Sequence, residues 1–211
     1  MKEPTLLFPS ESAARIVLPN VSWRSYESLL SDFDGRPGMR VNYDRGVLEI
    51  LSPVSEEHEL YNRLLAFVVE TLAEAMGLEY RSSGAASFKR EDLQRGFEPD
   101  SSYYPQSEPR VRGKLHLDFS VDPPPDLAIE IDIAHTSIGK LSLYAAMGVP
   151  EVWIYDGRQV SIFVLRGEVM ISSSSSPSVQ AGALSQWMEQ TKLFTRTAWN
   201  RNVREWARSL Q

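Results

Sequence analysis

Residues 124–137, PPDLAIEIDIAHTS, constrain the fold more than any other stretch of the chain. Leu127 to Ile133 is an apolar, β-prone run led in by prolines, and it reads as a core strand. Glu130 and Asp132 interrupt it. Alternate residues of a strand share a face, so the two carboxylates point the same way, about 7 Å apart along the chain. Burying an unpaired carboxylate is costly. The pair therefore needs a cation, a proton or an arginine, and the fold must bring one to it.

The elements around this strand alternate. Ser22 caps a helix over 22–33, with Tyr26, Leu29, Leu30 and Phe33 facing inward. Residues 39–53 predict a hairpin that turns at Tyr43-Asp44-Arg45-Gly46. The clearest helix spans 55–76. Ser55 caps it, Glu56 and Glu57 sit at the positive end of its dipole, and Gly77 stops it. Its apolar side is Leu60, Leu64, Phe67, Val68, Leu72 and Met76. Residues 78–89 predict two short strands, 99–105 a strand, and 105–124 a long polar loop. Beyond the 126–133 strand, Ser137 starts a helix that runs to Met147. Residues 150–156 and 159–167 form a hairpin through Asp156-Gly157-Arg158. The serine run 172–178 reads as a mobile turn, and the tail is helical, with Trp199, Val203, Trp206 and Leu210 on one side. Helices and strands in this order predict an α/β (α+β) layered arrangement.

The 211 residues suit one domain, 1–211. We divide it into an N-terminal helix and hairpin extension (1–53), a core (54–170) and a helical tail (179–211). No apolar run approaches the roughly 20 residues that span a bilayer, so no membrane partner is expected. No secretory leader is read at the start of the sequence. The chain has no cysteine, which excludes disulfides, thiolate metal sites and a cysteine nucleophile, and fits a cytoplasmic location. A net charge of −6 argues against a general polyanion-coating protein but leaves room for a local basic groove.

Asp100 follows Pro99 at the start of a strand. If that strand neighbours 126–133, then Asp100, Glu130 and Asp132 converge. Three carboxylates suit a hard divalent ion, Mg²⁺ or Mn²⁺. Such an ion polarises a phosphoryl oxygen and activates water, so the chemistry implied is phosphodiester hydrolysis. Lys140, eight residues past Asp132, is the candidate to fold back and stabilise the developing charge. The bland alternatives are a strand cap for Asp100, a salt bridge from Glu130 and Asp132 to an arginine such as Arg81, and a solvated Lys140. His58 is a candidate metal or substrate contact, and Glu57 a candidate outer-sphere acid. His135 is near the acids and is a weaker substrate candidate, whereas His116 has no informative spacing. Residues 81–116 carry seven bases against five acids, with Phe88, Tyr103 and Tyr104 interleaved. Such a window suits a phosphate-tracking rim, with Lys89 and Arg90 as candidate substrate contacts.

EPD at 98–100, PPDLAIEIDI thirty residues on, and KLSLYAAMGVPEVWIYDG at 140–157 resemble the Uma-two family of the PD-(D/E)XK nuclease superfamily. The helix SPVSEEHELYNRLLAFV and the segment SFKREDLQRGFEPD extend the resemblance over nearly the whole chain. The resemblance implies a restriction-endonuclease-like core, a central mixed sheet flanked by helices, with a metal at its edge. Asp100 matches the Asp of the PD element and Glu130 the (D/E) position. The pattern has lysine where this chain has Asp132, and Lys140 on the following helix is the candidate replacement. The expectation is a Mg²⁺- or Mn²⁺-dependent DNA endonuclease acting as a homodimer, because two sites about a two-fold axis serve both strands. The alternative is a catalytically degenerate module that binds nucleic acid or protein without turnover. A different metal hydrolase is a third reading, in which zinc is disfavoured by the absence of cysteine.

Overall fold

A computed structural model describes residues 14–33, 39–52, 55–133, 138–176 and 179–210. β1 (Ala14–Leu18) precedes α1 (Trp23–Phe33), whose cap is as predicted: the Ser25 amide donates to Ser22 Oγ at 3.1 Å. β2 (Arg40–Asp44) and β3 (Val47–Ser52) form the expected hairpin. Arg45 and Gly46 at its turn have φ of 46° and 92°, the left-handed pair that matches strand twist. α2 (Glu56–Ala75) starts at Ser55, whose side chain accepts from the His58 amide. Four short strands follow: β4 (Arg81–Ser82), β5 (Phe88–Arg90), β6 (Arg95–Phe97) and β7 (Ser101–Tyr104).

The stretch expected to be a plain loop contains one helical turn, α3 (Glu108–Val111). Asp126 organises its approach, accepting from Gln106 N, Ser107 N and Ser107 Oγ at 2.8, 2.7 and 2.8 Å. β8 (Leu127–Ile131) is the apolar strand. The helix expected from Ser137 is a 3-10 turn, Ile138–Lys140, continued by α4 (Leu141–Ala146); Ser137 itself lies outside the described residues. β9 (Glu151–Tyr155) and β10 (Val160–Arg166) form the second hairpin. β11 (Val169–Ser173) extends it into the start of the serine run, where a turn was expected. α5 (Ala181–Gln190) and α6 (Arg196–Arg208) follow.

The strands form two sheets. The larger has the order β11-β10-β9-β8-β7-β4; β8 and β9 are parallel and the other pairs antiparallel. This is the mixed sheet expected, but with six strands where the resemblance implies four or five. The second has the order β1-β3-β2-β6-β5. Here β2 pairs with β6, so the N-terminal hairpin shares a sheet with residues 88–97.

The period-two alternation of β8 sets the two faces. Leu127, Ile129 and Ile131 join one core with Leu64, Leu65, Val68 and Leu72 of α2, Leu184 of α5 and Val203 of α6. Ala128 joins a second core with Leu143, Tyr144 and Met147 around α4 and with Phe88 and Phe97. Each buried leucine, isoleucine, valine, phenylalanine or methionine of these cores contributes about 1.5–3 kcal/mol. Glu130 shares the Ala128 face and so meets α4. A third cluster, Trp23, Tyr26, Val41, Tyr43 and Leu48, joins α1 to the second sheet. Tyr26 reaches deep into it because Gly96 lacks a side chain: a Cβ there would lie 2.0 Å from the Tyr26 hydroxyl.

Candidate active site

Asp100 occupies the crossover from β6 in one sheet to β7 in the other. Its amide donates to Ile129 O at 3.0 Å, which seats it beside β8. Its side chain is 3% exposed. The Ile131 amide donates to its Oδ2 at 2.7 Å, and His58 Nε2 lies 3.1 Å from the same oxygen. Arg40 Nε of β2 is 2.7 Å from Oδ1. That N–H is not aimed for a hydrogen bond, so the contact is an ion pair. One turn after His58, Asn62 Nδ2 donates to the Asp100 carbonyl at 3.1 Å, and its own oxygen accepts from Ser101 Oγ at 2.8 Å. The i, i+4 spacing puts both α2 side chains over one residue.

Glu130 is held from the other side. Lys140 Nζ, in the turn before α4, lies 3.1 and 3.0 Å from its two oxygens. One turn further on, the Tyr144 hydroxyl donates to Oε1. Glu130, Lys140 and Tyr144 are all buried. Neither sheet nor helix alone makes this triad; it needs β8 and α4 packed face to face.

The charges sense one another. Burial pushes the Glu130 carboxyl up; Lys140 pulls it down, while Asp100 and Asp132 add to the rise, and the balance is about 7. Burial would lower Lys140, but Glu130, Asp100 and Glu49 together hold it above its ordinary value. The opposite outcomes for the partners follow from their neighbours: the lysine faces three acids, the glutamate one cation and two acids. Burial would also raise Asp100; the His58 hydrogen bond and the charges of Arg40, His58 and Lys140 outweigh it and hold that carboxyl below the usual range.

Of the residues singled out from sequence, His58 pairs with Asp100 and Lys140 with Glu130 here, and Asp132 acts on Glu130 through its charge. Asp132 sits just past β8, its amide donating to Tyr155 O at 2.7 Å, and it is half-buried. Lys89 and Arg90 pair instead with Glu27 at 2.9 Å and Asp92 at 2.6 Å. Most of the expected basic rim is spent in the same way. Arg95 pairs with Asp44, Arg112 with Glu108 and Lys114 with Asp122. Arg81 donates to the Val111 and Lys114 carbonyls at 2.9 and 2.6 Å, so the arginine beside the acids is Arg40 rather than Arg81. Glu57 and His116 are exposed, and His135 lies outside the described residues. Sequence reading passed over Arg40, Asn62 and Tyr144. The i, i+4 steps 58–62 and 140–144 were the available signals for the last two. For Arg40 there was none, because a β2–β6 pairing brings it in.

Among the described residues, no three His, Asp or Glu side chains are grouped to hold a metal ion. The donor set nonetheless suits one in kind: Asp100, Glu130 and Asp132 offer hard oxygens, as Mg²⁺ or Mn²⁺ require. Both oxygens of Asp100 and both of Glu130 already have protein partners. A bound ion would share or replace the contacts of Arg40 and Lys140.

A groove of about 230 Å³ opens beside Lys140, lined by Arg15, Asn42, Glu49 and Leu143 among others. Glu49 accepts from Arg15 Nε at 2.6 Å and Asn42 Nδ2 at 2.9 Å. Burial raises its carboxyl, but those bonds and Lys140 bring the net below the usual range.

A crystal structure described as a putative nuclease belonging to DUF820 from Anabaena variabilis is similar in fold. Its TM-score is 0.51 and its identity 15%, over 70% of this chain and 90% of that one. No curated protein matches the chain. Among the described residues, no helix is long and apolar enough to cross a membrane. Residues 23–190 match the Uma2 family, described as "Putative restriction endonuclease", and include every strand but β1, with Asp100, Glu130 and Lys140. The chain belongs to the Uma2 family.

Proposed function

We propose that the chain is a metal-dependent endonuclease that hydrolyses phosphodiester bonds of DNA at the Asp100–Glu130 site. The observation that carries this reading is the pairing of Lys140 with Glu130. The superfamily pattern that the sequence resembles wants an acid and a lysine together, and position 132 is Asp. Lys140 supplies the ammonium from the next element. Asp100, Glu130 and Asp132 would hold Mg²⁺ or Mn²⁺, which would polarise a phosphoryl oxygen and neutralise its charge.

The chain's own groups have separable roles. Lys140, buried against Glu130, carries a charge that three acids keep protonated and that would stabilise a phosphoryl oxygen brought to the end of β8. Tyr144 fixes the Glu130 carboxylate. His58 and Arg40 hold the Asp100 side chain, and Asn62 holds its backbone. A homodimer would present two such sites to the two strands.

Plasmid nicking with Mg²⁺ or Mn²⁺ tests the reading. Wild type is expected to nick, and EDTA, Glu130→Gln or Lys140→Met to abolish it. Full cleavage by Glu130→Gln would overturn the assignment. A second reading, a nuclease-fold module that binds without turnover, is favoured by one observation: the Asp100 and Glu130 oxygens are already engaged by protein groups. It predicts DNA binding with no nicking under any divalent ion.

A further inference from the structure

Residues 192–210 carry Lys192, Arg196, Arg201, Arg204 and Arg208 against one acid, Glu205, in a chain of net charge −6. All five bases are exposed. Among the described residues, no ion pair or hydrogen bond engages their side chains. The 81–114 window is the opposite case, because its bases are mostly consumed by Glu27, Asp44, Asp92, Glu108 and Asp122. Arg24, Arg110, Arg158 and Arg166 are likewise exposed, but they are scattered, whereas the densest run of unpaired bases among the described residues lies in and just before the C-terminal helix, beyond residue 190, where the family match ends.

The helix presents it in order. Trp199, Val203 and Ala207 are buried. Arg201, Arg204 and Arg208, spaced three and four apart, form a stripe turned away from that face. The Arg204 guanidinium lies 5.1 Å from the Phe67 ring centroid on α2, and the Arg196 guanidinium 5.8 Å from the same ring and 5.3 Å from Trp199. A guanidinium held by a ring keeps its N–H fork for a phosphate. Arg63, exposed and one turn before Phe67, adds a sixth base. Along α2, Arg63 and Phe67 stand about 8 and 14 Å from His58 by helical rise. His58 is the residue that contacts Asp100. The patch and the acid cluster thus both border α2, the acid cluster at its first turn and the patch about its middle.

We propose that α6, with Arg63, is a docking surface for the phosphate backbone of DNA. That a strand docked here leads to the Asp100–Glu130 site rests on the nuclease reading; the docking itself does not. The buried apolar stripe of α6 is spent on the core and is not available for insertion into a bilayer, which disfavours a lipid occupant. Planar forks on a helix suit successive backbone phosphates without base readout.

The test is fluorescence anisotropy of a labelled DNA duplex with the full chain in EDTA, over about 50–200 mM salt. Arg201→Gln/Arg208→Gln removes two exposed bases that touch no ring among the described residues, and circular dichroism checks its fold. It is expected to weaken binding and to lower the slope of log K against log salt by about 2. Glu205→Gln should tighten binding. The proposal falls if the double variant keeps wild-type affinity and slope, or if wild type does not bind the duplex, whether or not it binds phosphatidylserine vesicles. Unchanged binding by the double variant alongside lost cleavage in Glu130→Gln sinks the docking surface and leaves the nuclease reading standing. A reduced slope in a protein whose wild type never cleaves does the reverse.

Discussion

Lys140 Nζ sits 3.0 and 3.1 Å from the two carboxylate oxygens of Glu130, ten residues earlier in the chain and on a different element. Both side chains are buried, so each is the other's main compensation for lost water. Lys140→Met should therefore cost about 3–5 kcal/mol in urea unfolding at pH 8, because it strands a buried carboxylate. Adding Glu130→Gln removes that charge, and the double variant should be more stable than Lys140→Met alone. Additive losses from the two substitutions would show that the pair is not coupled.

Stability should also depend on pH through Glu130. Its carboxyl is raised in the folded chain to about 7, above its ordinary value, so its contribution is fully present below about pH 4.5 and is lost as pH rises through 7. Wild type should lose on the order of 3 kcal/mol across that window from this group. Glu130→Gln should lack that component. Denaturant midpoints for both proteins between pH 4.5 and 8 measure it; parallel curves would contradict the burial argument.

Asp100 has the opposite sign. Its carboxyl is held low by His58, Arg40 and Lys140 against burial, so its stabilisation is present above the ordinary carboxyl range and is lost as pH falls below about 3.9. Arg40→Met removes the ion pair from β2 and should cost about 3–5 kcal/mol at neutral pH. It should also flatten the acid limb of the stability curve. An acid limb identical to wild type would mean that the remaining partners, His58 and the Ile131 amide, suffice.

Gly96→Ala should destabilise the second sheet, because its Cβ would meet the Tyr26 hydroxyl at 2.0 Å and the ring carbon Cζ at 2.8 Å. Overpacking of this kind costs about 1–3 kcal/mol. Tyr26→Phe should recover part of the loss, since it deletes the nearest atom but leaves the ring. Thermal melts of the two single variants and the double variant give the coupling; a neutral Gly96→Ala would show that α1 can move away from β6.

Local rules wrote much of the fold into the sequence. Ser22 and Ser55 cap the helices they were expected to cap, the Arg45-Gly46 turn joins its hairpin, and the apolar run at 127–131 is a buried strand. These follow from groups a few residues apart, so periodicity and turn chemistry reveal them. Asp100, Glu130, Asp132 and Lys140 were legible as candidates because acids and a lysine beside an apolar strand are costly unless they meet something. What they meet was not legible. Arg40 reaches Asp100 only because β2 pairs with β6 across fifty residues of chain, and Tyr144 reaches Glu130 only because α4 lies on the even face of β8. The basic window at 81–116 read as a rim from composition alone, yet the tertiary structure pairs most of it with nearby acids, and the densest run of unpaired bases among the described residues is on α6. Sequence determines which groups need partners, since burial and charge are local costs. Which partner each receives depends on strand order and helix placement, and those are decided only when the whole chain packs.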